Sequence, residues 1–176
     1  MIDTDDMLVA RLAHGDLGAL DTIVSRHQDA LVRITRVVTG NDALANDAAQ
    51  EAFVRLWRNP QAFVGGTLRA WLITVARNVA LNELRAARRR TARHDRAATR
   101  PASDPALKVA GADRLAQVRA FIDTLPEAER TALVLFAVEG MSQHEIARVL
   151  ATSEGAVKQA VLSARKKIRE RFGDSP

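Results

Sequence analysis

Apolar residues recur at helical spacing along most of this chain, but the pattern stops near residue 90 and returns only at about Leu115. The gap holds Arg88-Arg89-Arg90, Arg93, Arg96 and Arg100, then Pro101 and Pro105, a composition that solvates better than it packs. The chain is therefore expected to be all-α, with two small helical domains at residues 1–90 and 113–176 joined by a flexible linker at 91–112. Its 176 residues suffice for two such units. Aromatic residues make up only 4% and Tyr is absent, which leaves Ala and Leu to build closely packed helical cores.

Charge follows the same division. Residues 1–60 carry six Arg against nine acids, whereas residues 61–100 carry nine Arg against two acids. Residues 101–140 are again acidic, net −2, and residues 141–176 basic, net +3. Two basic blocks separated by acidic ones suit two anchoring points on a polyanion, each on its own module.

The richest stretch is the helix expected over residues 67–90. With about 100° per residue, Leu68, Leu72, Val75, Val79 and Ala86 align on one stripe and are expected to be buried. Beside them lie Trp71, Asn78, Asn82, Arg85 and Arg89. Helix propensity does not explain two asparagines there. Aromatic, amide and guanidinium groups on one face suit stacking on unpaired bases and bonding to their edges. A solvated basic helix with a half-buried Trp fits the same residues.

Upstream, helices are expected from Asp6 to Gly40, broken at His14-Gly15-Asp16, and from Asp42 to Trp57. The second of these has Ala49, Phe53, Leu56 and Trp57 on its apolar side. Its other side, with Asp47, Gln50, Glu51, Val54, Arg55 and Arg58, suits either solvent or a protein partner. Phe63-Val64-Gly65-Gly66-Thr67 forms a loop, with Thr67 as helix cap. Downstream, Ser142-Gln-His-Glu145 reads as a capping box, Ala151-Thr152-Ser153 as a tight turn, and Ser153 as the cap of a basic helix running to about Phe172. Val157, Val161, Ala164 and Ile168 should face inward. A short helix, a sharp turn and a long basic helix describe a helix-turn-helix, with a plain helical hairpin as the alternative.

Chemistry of its own is not expected. The absence of Cys excludes disulfides and thiolate sites, and His14, His27, His94 and His144 have no metal-ligand spacing. There is no phosphate-binding glycine loop and no nucleophile elbow. We expect a non-enzyme without cofactor or metal. No apolar run is long enough to span a membrane and the start, Met1-Ile-Asp-Thr-Asp-Asp6, is unlike a signal peptide, so a cytoplasmic protein is expected.

With both modules in place, the chain resembles the bacterial sigma-70 family, and most of all its short extracytoplasmic-function type, which keeps only regions 2 and 4. Asp47-Ala-Ala-Gln-Glu-Ala-Phe-Val-Arg-Leu-Trp57 is similar to the family's core-binding helix, and Leu68 through Asn78 to its −10-reading helix. Leu125-Pro-Glu-Ala-Glu-Arg130, Glu139 through Ala147, and Gly155 through Arg169 resemble the −35-reading domain. The resemblance implies that residues 1–90 are region 2, residues 113–176 region 4, and that Asp47, Gln50, Glu51, Val54 and Arg55 dock on core RNA polymerase, through its β′ and β subunits. It implies that Phe63, Thr67, Trp71, Asn78, Asn82, Arg85, Arg88 and Arg89 hold the opened −10 strand of promoter DNA. Ser142, Ser153, Glu154, Lys158, Gln159, Leu162, Ser163, Arg165 and Lys166 would meet the −35 duplex. An anti-sigma factor covering the polymerase-binding surfaces is implied by the same analogy.

The sequence departs from the family at Gly65-Gly66, where relatives often carry charged residues, so no −10 base preference is carried over. Ala156 stands where Thr is frequent, and Gln159-Ala160 where Ser-Arg or similar residues are. Two other readings fit the residues alone: a free-standing regulator that binds duplex through its helix-turn-helix, and a helical RNA-binding protein using the arginine run.

Overall fold

A computed structural model describes residues 3–94 and 114–173. All secondary structure among them is helical: α1 (Asp5–Ala13), α2 (Leu17–Thr39), α3 (Asp42–Arg58), a 3-10 turn at Pro60–Ala62, α4 (Leu68–His94), α5 (Arg114–Thr124), α6 (Glu127–Ala137), α7 (Gln143–Leu150) and α8 (Glu154–Phe172). The expected linker at 91–112 falls mostly outside the described residues; α4 runs four residues into it, to His94.

Local chemistry sets the helix ends. Asp16 opens α2 by accepting from the Gly18 amide at 2.9 Å, and Arg11 on the same carboxylate holds it below the usual carboxylate range. Gly40, at φ +62°, closes α2 in the left-handed region that a side chain resists. Asn41 then caps α3 through the Leu44 amide at 3.0 Å.

Helices α2, α3 and α4 pack as one bundle with α1 against α2, and α6, α7 and α8 pack as another with α5 against α8. The first bundle closes on alanine: Ala45, Ala48, Ala49, Ala52, Ala76 and Ala80 are all buried. Phe121 and Phe172 meet edge to face at 5.5 Å and tie α5 to the end of α8.

The bundles also touch each other. α6 lies against α2 and α7 against α4. Leu31, Ile34 and Ile73 of the first belong to the same continuous apolar core as Val134, Leu135, Met141 and Ile146 of the second.

The stripe expected on α4 is turned. Leu68 and Leu72 are buried as expected, but Ile73, Ala76 and Ala80 complete the buried face, while Val75, Val79 and Ala86 are only partly covered. The reason is steric: alanine contributes little to an apolar pattern yet admits the closest helix approach. Trp57 is likewise not on the apolar side of α3; it is 49% exposed, one step off the Ala49–Phe53–Leu56 stripe and in the last turn.

Candidate nucleic-acid interface

α4 presents its polar face at the edge of the first bundle. The approach is the loop Phe63–Thr67, where Gly65 and Gly66 take φ +68° and +79°, values that favour glycine at both positions. Thr67 accepts from the Ala70 amide at 3.3 Å, as a capping residue should. Phe63 meets Trp71 edge to face at 6.4 Å, so the ring of Trp71 is held while one side of it stays accessible. Gly65, Gly66, Thr67, Ala70, Trp71 and Thr74 line a cavity of about 160 Å³.

Further along the helix, Asn78 and Asn82 are exposed. Arg85, also exposed, donates to the Asn82 side-chain oxygen at 3.4 Å, and Arg89 is exposed beyond it. The side chain of Arg88 lies outside the described residues. Aromatic, amide and guanidinium groups thus line one side of a single rigid helix. That arrangement can stack a base, bond its edge and neutralise its backbone.

The face expected to meet a protein lies on α3. Asp47, Gln50 and Arg55 are exposed, and Glu51 and Val54 half-buried. Glu51 accepts from Arg55 Nε at 2.8 Å, an exposed pair that contributes little to stability but keeps both heads on the surface.

In the second bundle, Ser142 and Glu145 form the capping box, with the Glu145 side chain accepting from the Ser142 amide at 2.9 Å. That amide, together with the Ser142 hydroxyl, holds the Glu145 carboxyl below its ordinary value. Ala151, at φ +51°, turns the chain, and Ser153 caps α8 through the Ala156 amide at 3.2 Å. Val157, Val161 and Ala164 point inward as expected, and Ile168 is partly buried.

Lys158, Gln159, Leu162, Arg165 and Lys166 share the outer surface of α8, with Leu162 46% exposed. Arg165 lies over the Phe136 ring at 5.1 Å, and Lys166 approaches Glu170 at 3.8 Å. Four other expected contact residues are engaged within the chain. The Ser163 hydroxyl donates to Glu129 at 3.2 Å, Glu154 pairs with His144 at 2.9 Å, and Ser142 and Ser153 spend their oxygens on caps.

Sequence reasoning missed the groups between the bundles. Glu139 is almost fully buried, with its carboxylate held by Arg33 Nε of α2 at 2.5 Å and by Arg69 of α4. Arg69 also donates to the Glu139 carbonyl at 2.8 Å. Arg77 of α4 reaches Glu127 at 3.1 Å, and the Thr67 hydroxyl donates to Glu145 at 3.3 Å. Arg148 of α7 overlies Gly66 and closes the cavity beside Trp71. Among the described residues no cluster could hold a metal ion, and no helix is long and apolar enough to cross a membrane.

Two family models match successive parts of the chain. Residues 23–90 match Sigma-70 region 2 and residues 115–168 match Sigma-70, region 4. The ECF RNA polymerase sigma factor SigE of Mycolicibacterium smegmatis is 34% identical over 170 residues; the alignment covers 90% of this chain but 64% of that longer relative. The ECF RNA polymerase sigma-E factor of Haemophilus influenzae is 31% identical over 182 residues, covering 96% of this chain and 95% of the relative. The solved structure of CnrH in complex with the cytosolic domain of CnrY shares the fold at a TM-score of 0.69 and 29% identity, over 98% of this chain and 100% of that one.

Proposed function

The chain belongs to the sigma-70 family, as a sigma factor of the extracytoplasmic-function type, and from that premise we propose that it directs core RNA polymerase to two-part promoters by reading them in two different physical states. Sigma factors are transcription initiation factors rather than enzymes, and the nucleotidyl transfer belongs to the polymerase.

The α3 surface of Asp47, Gln50, Glu51, Val54 and Arg55 docks on core polymerase. The loop Phe63–Thr67 and the α4 face of Trp71, Asn78, Asn82, Arg85, Arg88 and Arg89 hold the unpaired −10 strand. Trp71 stacks a base, the asparagines bond base edges, and the arginines neutralise phosphates. Unstacking costs a few kcal/mol per base, which stacking and edge bonding must offset. α8 enters the major groove at −35, with Lys158 and Gln159 on base edges, Leu162 in apolar contact, and Arg165 and Lys166 on phosphates, where they set register. The carrying observation is that a fixed aromatic beside a cavity and a double-capped helix-turn-helix occur on separate bundles of one chain. Ser142, Ser153, Glu154 and Ser163 are already hydrogen-bonded within the second bundle, so their contribution at −35 is chiefly positional. CnrH was solved with the cytosolic domain of CnrY, which supports a protein regulator here too, an anti-sigma factor that blocks the polymerase-binding surface.

Run-off transcription with purified core polymerase on genomic fragments tests the reading. Promoter-specific transcripts that require this chain are expected; the absence of both transcript and complex with core would overturn a sigma function. Asn78→Ala should lose promoter opening while keeping core binding.

A further inference from the structure

α2 carries a row of charged side chains that neither the proposed polymerase surface nor the proposed DNA faces employ. Asp29, Arg33 and Arg36 stand at i, i+4 and i+7 and are all exposed, so they follow one another along one side of the helix. Arg119 of α5, also exposed, stands across from them. These four, with Gln28, Val32 and Asn46, line a cleft of about 680 Å³. Clefts of this size hold small-molecule ligands.

Two of the arginines are anchored in a way that leaves their outer ends available. Arg33 Nε meets Glu139 at 2.5 Å, and Arg36 Nε meets Asp42 at 2.5 Å. Held at Nε, each keeps its terminal amino groups, which grip phosphate oxygens in pairs, for a ligand. The Arg36–Asp42 pair is more than half exposed on both sides, so it fixes the side chain more than it neutralises it. Arg119 has no hydrogen bond or ion pair among the described residues. A second cleft of about 560 Å³ adjoins the first, shares all three arginines and adds Arg130.

Carboxylates flank the arginines in both clefts: Asp29 in the first, Asp42 and Asp123 in the second. That suits a short ligand better than the continuing phosphates of a polymer. Asp29 has no polar partner among the described residues and lies beside the amides of Gln28 and Asn46. A carboxylate there repels phosphate, so it must face a part of the ligand that donates hydrogen bonds. Guanine offers two neighbouring donors, N1–H and N2–H₂, which one carboxylate accepts together; adenine offers only its N6 amine. Helical rise places Asp29 about 6 Å from Arg33 and about 10 Å from Arg36 along the axis, comparable to the span from a base edge through a ribose to a diphosphate.

We propose that the cleft between α2 and α5 is a binding site for a guanine nucleotide carrying a diphosphate. Asp29 accepts from the base, Gln28 and Asn46 bond the ribose hydroxyls, and Arg33, Arg36 and Arg119 hold the phosphates. The site is separate from the strand-reading face of α4 and the duplex-reading face of α8.

Isothermal titration of the full chain with guanosine diphosphate, adenosine diphosphate, pyrophosphate and orthophosphate tests the assignment. Guanosine diphosphate should bind about tenfold more tightly than adenosine diphosphate, and pyrophosphate about tenfold more tightly than orthophosphate. Asp29→Asn should bring guanosine diphosphate down to the level of the adenine nucleotide and leave pyrophosphate no weaker. Arg119→Ala should weaken both nucleotides and pyrophosphate about tenfold. Both positions are exposed and unpartnered, so the melting temperatures of the two variants should match that of the unsubstituted chain.

Absence of binding, equal affinity for pyrophosphate and orthophosphate, or full affinity in Arg119→Ala overturns the site. Equal affinity for the two nucleotides, or a guanine preference that survives Asp29→Asn, overturns the guanine assignment. Displacement of guanosine diphosphate by a mixed-sequence duplex, lost in Arg119→Ala, would make the arginines contacts to a DNA backbone and overturn the nucleotide site.

Discussion

The polar faces of α4 and α8, proposed as the strand reader and the duplex reader, have opposite construction. On α4, Asn78 and Asn82 project from a helix whose aromatic anchor, Trp71, is fixed from the side by Phe63. On α8, there is no aromatic anchor, and several polar groups are already engaged: Ser163 and Lys167 with Glu129, Arg165 with Phe136. An unpaired base offers a flat π-face and must be caught by stacking, so its reader needs a ring and a cavity. A duplex offers only edges and phosphates, so its reader needs a straight helix aimed by its caps.

Substitutions can sharpen or break that contrast. The largest effect is expected from Trp71→Ala with Asn78→Ala. Stacking is worth about 1–3 kcal/mol per base, so strand affinity in the polymerase complex should fall by about ten- to a hundredfold while −35 duplex binding is unchanged. Equal losses on both DNAs in a gel-shift titration would erase the distinction between the faces. Next, Lys158→Ala with Gln159→Ala should reduce binding to a cognate −35 duplex by about tenfold and to a scrambled one hardly at all. A uniform loss would move both residues to the phosphate class. Lys166→Ala should instead weaken all duplexes alike and lower the slope of log affinity against log salt by about one.

Smaller effects test the scaffolds. Ser142→Ala removes the α7 cap, a loss of about 1 kcal/mol, and should lower the melting temperature by a few degrees. In the first bundle, burial pushes the His27 imidazole below its ordinary 6.5, only partly offset by Asp5 at 3.0 Å. The unfolded chain then takes up the proton first as pH falls. Stability should be full above pH 6.5 and decline below it toward the folded value, and His27→Gln should flatten that decline in denaturant titrations.

Much of this organisation was legible because it is local. The capping box at Ser142, the turn at Ala151 and the cap at Ser153 are each written within four residues, and the structure keeps all three. The exposed face of α4 follows from helical angle alone. The buried face of α4 did not, because Ala76 and Ala80 are weak signals in an apolar pattern although both are completely covered. The burial of Glu139 was beyond reach for another reason: Arg33 and Arg69 lie 106 and 70 residues away in sequence. Nothing near Glu139 announces a partner. A charge inside a helical unit reads as surface until the tertiary contact is known.

The contact between bundles has a further consequence, one of length. A compact body of this many residues has a radius of gyration of about 16 Å and a diameter near 40 Å. Positions −10 and −35 are about 25 base pairs apart, and at about 3.4 Å per pair that is roughly 85 Å of duplex. The packed form is therefore too short a caliper to touch both marks. On the proposed two-part reading the bundles must part, and the apolar surface around Val134, Met141 and Ile146 must then find another cover. An enzyme that presents that cover at the right spacing would set the gauge.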